Sequence, residues 1–306
     1  MQNFIISKNF LTQKRKGAKA QSFYKIFFAS WHLCAFVLIF FSYAKAQKIA
    51  VIAPEKNVQS ETFIEKLVES LSKKYKILDS SLSDTAFRSA NFETPFNLTT
   101  TESKLVSSAI GCNYFLLVRT ENQRRASLTK NDYFEASAAI FVVSSLTGRL
   151  VFWKLELAEG KIPNDANKQL FASTDKISAE ISSKLNEVGK DELSEKPTPN
   201  IIELPDENST EAKGLRPPLP FRRIKPEYTS TASLYGIKAT VDIEIEVSET
   251  GKIIKTEIVR WAGYGLDESV REAIYKMQWR PADRNGKTLP LRVLLRYNFK
   301  KIEKED

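Results

Sequence analysis

Histidine and cysteine, the side chains that most often perform catalysis or bind transition metals, are scarce in this 306-residue chain. His32 is the only histidine, and Cys34 and Cys112 are the only cysteines. Because His32 and Cys34 lie near the N-terminus, the chain beyond residue 46 has no imidazole and one thiol. This excludes a histidine-based triad, a histidine-ligated zinc site and an internal disulfide there. Spacing singles out no pair of carboxylates, so we predict no enzyme activity, catalytic residue, metal ligand or cofactor.

Residues 1–46 have the layout of an export signal. They contain seven Lys or Arg and no acidic residue, and an uncharged run extends from Ile26 to Ala44. The apolar core is near the lower length limit for a membrane span, and Ala44-Lys45-Ala46 has the small-x-small pattern that signal peptidase recognises. Two interpretations stay open: a signal peptide with Ala44 and Ala46 at its cleavage site, or an uncleaved inner-membrane anchor. Both predict a periplasmic location for the rest.

The formal net charge of +9 comes mostly from this leader. Beyond residue 46 the chain has 39 basic and 37 acidic residues. Affinity for nucleic acid depends on basic side chains that neutralise phosphates. The near balance therefore predicts no nucleic-acid partner.

A change in composition near residue 191 predicts two domains of an α+β protein. Residues 191–213 contain seven acidic residues, two lysines, three prolines and no aromatic residue. Such a segment buries too little apolar surface to offset the entropy of ordering it, so we predict a flexible linker. The predicted order is a leader, an α/β sandwich-like domain, an acidic proline-containing linker and a C-terminal domain, at residues 1–46, 47–190, 191–220 and 221–306.

Residues 47–190 alternate short apolar runs with segments of helical spacing, a pattern typical of an α/β domain. Three pieces stand out: KIAVIAPE at 48–55, SAIGCNYFLLV at 108–118 and VSSLTGRLVFW at 143–153. In this order they resemble the small exported domains at the N-terminus of TolB, in CsgG and in lipoprotein activators of penicillin-binding proteins. The resemblance implies protein–protein contact in the envelope and no active site.

The C-terminal segment has the clearest strand pattern of the chain. Thr240–Val247 alternates apolar with polar residues, which predicts a strand with one buried face and with Asp242, Glu244 and Glu246 toward water. A turn that ends at Gly251 follows it. The other predicted elements are a second strand, a helix and a third strand, at Ile253–Val259, Leu266–Trp279 and Leu289–Phe299. These predict a three-stranded antiparallel sheet with a helix on one face.

The same segment resembles the TonB C-terminal domain over about 75 residues. The matching pieces, in order, are Lys225-Pro226-Glu227-Tyr228, Gly236-Ile237, Gly251, Gly263, Leu266-Asp267-Glu268, Trp279-Arg280-Pro281-Ala282, Asn285-Gly286-Lys287 and Leu291–Phe299. Two positions depart from the family pattern: Thr229 stands where proline is usual, and Ala239 where glycine is usual.

The resemblance implies that a partner's short segment binds along an exposed edge of the sheet by main-chain pairing. It implies two sets of partner-binding residues: Arg292, Leu294, Arg296 and Asn298 on the last strand, and Lys225, Pro226 and Tyr228 in a second contact segment. Two alternatives stay open for these side chains. The arginines could protect the edge from self-pairing, and Pro226 and Tyr228 could cover the core.

The implied partners are segments of outer-membrane TonB-dependent receptors or other envelope proteins, close to peptidoglycan, and inner-membrane motor proteins if the leader is uncleaved. A housekeeping TonB carries a serine and a histidine on one face of its membrane helix, followed by a long Pro-Glu/Pro-Lys spacer. Ser30 and His32 are two residues apart and do not share a helical face, and a predicted domain replaces the spacer. Two functions therefore stay open: TonB-dependent transport, and scaffolding without energy transduction.

Overall fold

The structure, a computed structural model, describes residues 47–126, 132–194, 198–206 and 208–301. The leader lies outside these ranges, so the cleavage residues Ala44 and Ala46 stay predictions. Within the described ranges, no helix has both the length and the apolar character needed to cross a membrane.

A mixed five-stranded sheet organises the N-terminal half. Its strands are β1 Lys48–Ile52, β2 Lys76–Ile77, β3 Tyr114–Arg125, β4 Tyr133–Ser144 and β5 Leu150–Gly160, in the spatial order β2-β1-β3-β4-β5. β1 pairs in parallel with β2 and β3, whereas β3, β4 and β5 pair antiparallel. The helices of this half are α1 Val58–Ser72, α2 Ser80–Ser89, α3 Thr100–Ile110, α4 Pro163–Ala172 and α5 Thr174–Ser194.

Local sequence explains where α3 begins and ends. The Thr99 hydroxyl accepts a hydrogen bond from the Glu102 amide at 3.1 Å, and the Glu102 carboxylate accepts one from the Thr99 amide at 2.6 Å. This reciprocal capping box satisfies amides that the first helical turn leaves without partners. Gly111 ends the helix in the left-handed region, with φ of 75°.

The two faces of the five-stranded sheet belong to different cores. Alternate strand residues such as Ile49, Leu116 and Ile140 pack with side chains of α1, α4 and α5. The intervening residues, such as Phe115 and Phe141, belong to a second core that also contains side chains from the C-terminal half. Period-two alternation along the strands separates the two sets.

The C-terminal half contains the predicted antiparallel strands and helix, together with shorter elements. The short elements that precede the main sheet are β6 Ile202–Glu203, β7 Leu215–Arg216, β8 Leu219–Pro220 and helix α6 Ser230–Leu234. The remaining elements are β9 Ala239–Val247, β10 Ile253–Arg260, α7 Leu266–Lys276, β11 Trp279–Arg280, β12 Ala282–Arg284, β13 Lys287–Leu289 and β14 Leu291–Phe299. The main sheet has the order β10-β9-β14-β6. The α+β class is therefore confirmed.

Two details of the C-terminal prediction are wrong. The sheet has a fourth strand, because β6 pairs in parallel with Leu291 and Arg292 at the start of β14. The helix ends at Lys276 and not at Trp279, because Met277 is extended and Trp279 pairs with Pro220 of β8. Trp279 is buried, so this strand pairing continues the core beyond the helix.

Parts of the predicted 191–220 linker pair with the C-terminal half, and one of them, β6, lies in its flexible 191–213 portion. β7 pairs with β12 and β8 with β11, in addition to the β6 pairing with β14. The segment has few apolar side chains to bury. Main-chain pairing does not depend on such burial, so the composition of the segment did not reveal it. The division into two domains stays a prediction, since the chain from Gln47 onward forms one compact unit.

A loop of the C-terminal half, residues 261–264, packs into the N-terminal sheet. Trp261 lies with its ring centroid 5.7 Å from that of Phe141, and Tyr264 lies 5.0 Å from Trp153. Asn97 donates hydrogen bonds to the carbonyls of Thr240 and Trp261, at 2.8 and 2.6 Å. Apolar packing and buried hydrogen bonds therefore join the two halves. We call residues 261–264 the docking loop.

Candidate functional site

The outer side of β14 is the candidate binding site. On its inner side β14 pairs with β9 along its whole length, from Leu291 to Phe299. On its outer side the described chain provides pairing only at Leu291 and Arg292, through β6. We call the outer main-chain side of residues 293–299 the β14 edge. The docking loop follows β10, at the opposite side of the sheet.

The alternation of β-strand geometry indicates which main-chain groups face outward. The Pro290 carbonyl accepts a hydrogen bond from the Ile202 amide at 3.3 Å, so it points toward β6. Main-chain groups of every second residue point to the same side of a strand. The N–H and C=O groups of Leu294, Arg296 and Asn298 therefore face the open side, where an added strand would pair.

The same three residues place their side chains on the exposed face of the sheet. Leu294 is 53% exposed, which makes it an apolar contact beside the open main chain. Asn298 lies beside Thr240 of β9, whose hydroxyl donates to the Asn298 side-chain oxygen at 2.8 Å. The structure thus brings together Arg292, Leu294, Arg296 and Asn298, the strand residues implied by the family resemblance.

The two arginines of β14 bind acidic residues of the same sheet. Arg296 donates to both carboxylate oxygens of Asp242, at 2.7 and 2.9 Å. Arg292 donates to Glu246 at 2.7 Å and to Glu203 of β6 at 2.5 Å. The hydrogen bond to Glu246 raises the pKa of the Arg292 guanidinium, which stays charged. Both arginines are neutralised internally, which favours edge protection over the recruitment of an acidic partner.

These pairs also correct the assignment of the water-facing side of β9. Asp242 and Glu246 were predicted to face water, but both are buried. Arginines of the neighbouring strands cover them, with Arg260 adding a contact of 3.3 Å to Asp242. Glu244 is only half-buried, and this burial raises the pKa of its carboxyl group while Arg292 lowers it. Sequence alternation cannot distinguish a face covered by arginine from one open to water.

In the second contact segment, Lys225, Pro226 and Tyr228, the contacts are mainly with the rest of the fold. The ring of Tyr228 stacks on Phe299, at a centroid distance of 6.3 Å, and its hydroxyl shares its one hydrogen between the carbonyl oxygens of Ala232 and Ile237, at 3.1 and 2.9 Å. Pro226 is buried, whereas Lys225 is exposed. Tyr228 therefore packs against the core and joins α6 to the side chain of Phe299, which favours the core-covering role for Pro226 and Tyr228.

Glu203 is the residue of this region that the sequence interpretation missed. It comes from the acidic linker and reaches Arg292 across 89 positions of the chain. A two-residue strand has no periodicity to detect. The only sequence signal was an apolar pair, Ile201-Ile202, followed by an acid in an otherwise polar segment.

Comparison with known proteins identifies a family for the segment that contains the β14 edge. Residues 224–300 match the family described as Gram-negative bacterial TonB protein C-terminal. No curated protein matches the chain.

Several solved structures are similar to parts of the chain. The Pseudomonas aeruginosa TonB CTD matches with 22% identity and a TM-score of 0.26, over 35% of this chain and 98% of that chain. The hypothetical protein CT253 from Chlamydia trachomatis matches with 13% identity and a TM-score of 0.32, over 45% and 99%. Lipoprotein GNA1162 from Neisseria meningitidis matches with 13% identity and a TM-score of 0.30, over 47% and 99%.

The C-terminal half therefore carries a TonB C-terminal domain, and the recognition made from the sequence is confirmed there. The match covers residues 224–300, about a quarter of the chain. The resemblance of residues 47–190 to TolB and CsgG domains stays a prediction.

Proposed function

We propose that this protein binds extended segments of envelope proteins by strand addition at the β14 edge, in the periplasm. The observation that carries the proposal is the row of outward main-chain groups at Leu294, Arg296 and Asn298, beside a β9–β14 ladder that holds the strand in place. An unpaired edge of this kind is a template for another strand. Exposed Leu294 adds an apolar contact for alternate side chains of the partner.

The proposed partners are N-terminal segments of TonB-dependent outer-membrane receptors, and the proposed process is transport across the outer membrane. The match to the TonB C-terminal family supports this choice. Direct contact with inner-membrane motor proteins would require an uncleaved leader. Sequencing the N-terminus of the exported protein tests this point, because a mature chain that begins at Gln47 would rule out an anchor of its own.

A scaffolding function without energy transduction is the second candidate. The docking loop favours it, because Trp261 and Tyr264 are buried against the N-terminal sheet. A binding domain fixed in this way resembles an adaptor that holds two partners at a set distance. Transport assays in a strain that lacks the gene separate the two functions, since a scaffold would leave receptor-dependent uptake unchanged.

Main-chain recognition can be tested with one position and two substitutions. Leu294→Pro removes an outward N–H without removing a donor from the β9 ladder, as proline is tolerated at edge positions with outward N–H groups. Leu294→Ala keeps the N–H and removes the side chain. We expect residues 47–306 to bind synthetic receptor segments, Leu294→Pro to abolish binding, and Leu294→Ala to weaken it only in part. Equal binding by the proline variant would contradict strand addition.

The peptide provides a matched control. N-methylation of alternate peptide residues blocks one side of an extended strand and leaves the other side intact. One methylation pattern should abolish binding and the pattern shifted by one residue should not. Equal effects of the two patterns would indicate recognition through side chains alone.

A further inference from the structure

β6 occupies the beginning of the outer side of β14. Ile202 and Glu203 pair in parallel with Leu291 and Arg292, and the Ile202 amide donates to Pro290. A strand that covered the whole of β14 would need the same positions. The chain therefore supplies a short strand of its own to the side of the sheet where a partner would bind.

The pairing of β6 is shallow. Ile202 is 37% exposed, Leu204 is 47% exposed, and the Glu203 side chain is 66% exposed although it binds Arg292. Pairing stops at Glu203, two residues before Pro205. Two paired residues and one exposed ion pair hold the segment weakly, since exposed ion pairs contribute little.

Release of β6 would not require the rest of the linker to detach. β7 and β8 pair separately with β12 and β11, so the chain after Gly214 stays attached by its own contacts. On release, Arg292 keeps its second carboxylate partner, Glu246, at 2.7 Å. The exchange therefore leaves no unpaired arginine, and the sheet beneath it stays intact.

We propose that residues 201–204 act as an internal competitor that closes the start of β14 until a partner strand displaces them. This inference rests on the proposed function, because it assigns regulation to the same binding site. The apparent affinity for a partner equals its intrinsic affinity multiplied by the fraction of molecules in which β6 is released. A partner that covers only residues 293–299 escapes this competition, so β6 discriminates between long and short strands.

The test uses residues 47–306 and synthetic N-terminal segments of the outer-membrane receptors of the source bacterium. One variant replaces residues 201–204 with Gly-Ser-Gly-Ser and opens the site. A second, Glu203→Cys with Arg292→Cys, joins positions that are Cα partners in the β6 pairing, so that oxidation closes the site and reduction reopens it. Asp206→Asn is the matched control, because it removes an exposed acid of the same segment that lies outside the pairing.

We expect the opened variant to bind long segments about fivefold more tightly or better, and the oxidised variant to lose that binding until it is reduced. Asp206→Asn should bind as the unmodified chain does. Equal affinities in the opened, oxidised and unmodified proteins would overturn the competitor and leave strand addition standing. Absence of binding to every form, including the opened variant, would overturn both the proposed function and this inference. The Ile202 amide gives a second readout, since its hydrogen exchange should accelerate when a segment binds.

Discussion

Substitution of Gly263 tests whether the docking loop joins the two halves of the molecule. Gly263 has φ of 70°, and a Cβ added there would lie 2.6 Å from Cδ1 of Trp153 and 2.8 Å from Cε1 of Phe141. Both atoms belong to the N-terminal sheet. Gly263→Ala therefore combines the strain of a left-handed alanine, about 1–2 kcal/mol, with overpacking of about 1–3 kcal/mol.

Gly236→Ala is the matched control. Gly236 also has a positive φ, of 59°, but a Cβ added there would meet no atom within 4 Å. It should therefore lower the free energy of unfolding by the conformational cost alone, about 1–2 kcal/mol. We expect Gly263→Ala to lower it by about 2–5 kcal/mol in total.

Urea unfolding followed by tryptophan fluorescence provides the measurement, because Trp153 and Trp261 both lie at the junction. A lower midpoint with an unchanged slope would indicate lost stability without a change in exposed surface. Equal losses for Gly263→Ala and Gly236→Ala would refute the close packing of the loop against the N-terminal sheet.

Three further substitutions separate structure from binding. Leu294→Ala should change the free energy of unfolding by less than about 0.5 kcal/mol, because the side chain is exposed; a larger loss in urea unfolding would mean that its effect on binding is indirect. Asp267 accepts hydrogen bonds from the amides of Ala262 and Gly263 at 3.0 and 2.8 Å, and burial raises its pKa to about 7. Since the folded protein then holds a proton that the unfolded chain releases, stability should fall by up to about 4 kcal/mol as pH rises from 4 to 7, and Asp267→Asn should flatten this dependence in unfolding measured across that range. Tyr228→Phe should cost about 0.5–1.5 kcal/mol through the lost hydroxyl bonds and leave peptide affinity unchanged; a large loss of affinity in the folded variant would restore a direct binding role.

Strong periodicity explains which parts of the fold were predictable. Thr240–Val247 and Leu291–Phe299 alternate over enough residues to predict strands, and the structure contains strands at Ala239–Val247 and Leu291–Phe299. The end of α7 was misplaced because no residue before Pro281 breaks the helical pattern. The extended conformation of Met277 depends instead on the pairing of Trp279 with Pro220, a contact between distant parts of the chain.

The sequence predicted the strand that forms the candidate site but not the side chains that surround it. Arg292 and Arg296 were assigned to the edge, yet their bonds to Glu246 and Asp242 follow from cross-strand register, which the sequence alone does not provide. The contribution of Glu203 was missed because the composition of its segment indicates disorder, whereas two main-chain pairs are enough to place it.

A force applied along β14 would be transmitted through folded structure and not through a flexible linker. The hydrogen bonds of the β9–β14 ladder would share such a load in shear, and β9 would pass it to β10 and the docking loop. Because Trp261 packs on Phe141 of β4 and Tyr264 on Trp153 of the edge strand β5, the load would reach the N-terminal sheet through these rings and not at a chain end. The C-terminal half would therefore transmit tension from a bound strand to the N-terminal half, and the structure that anchors residues 47–190 would carry that tension.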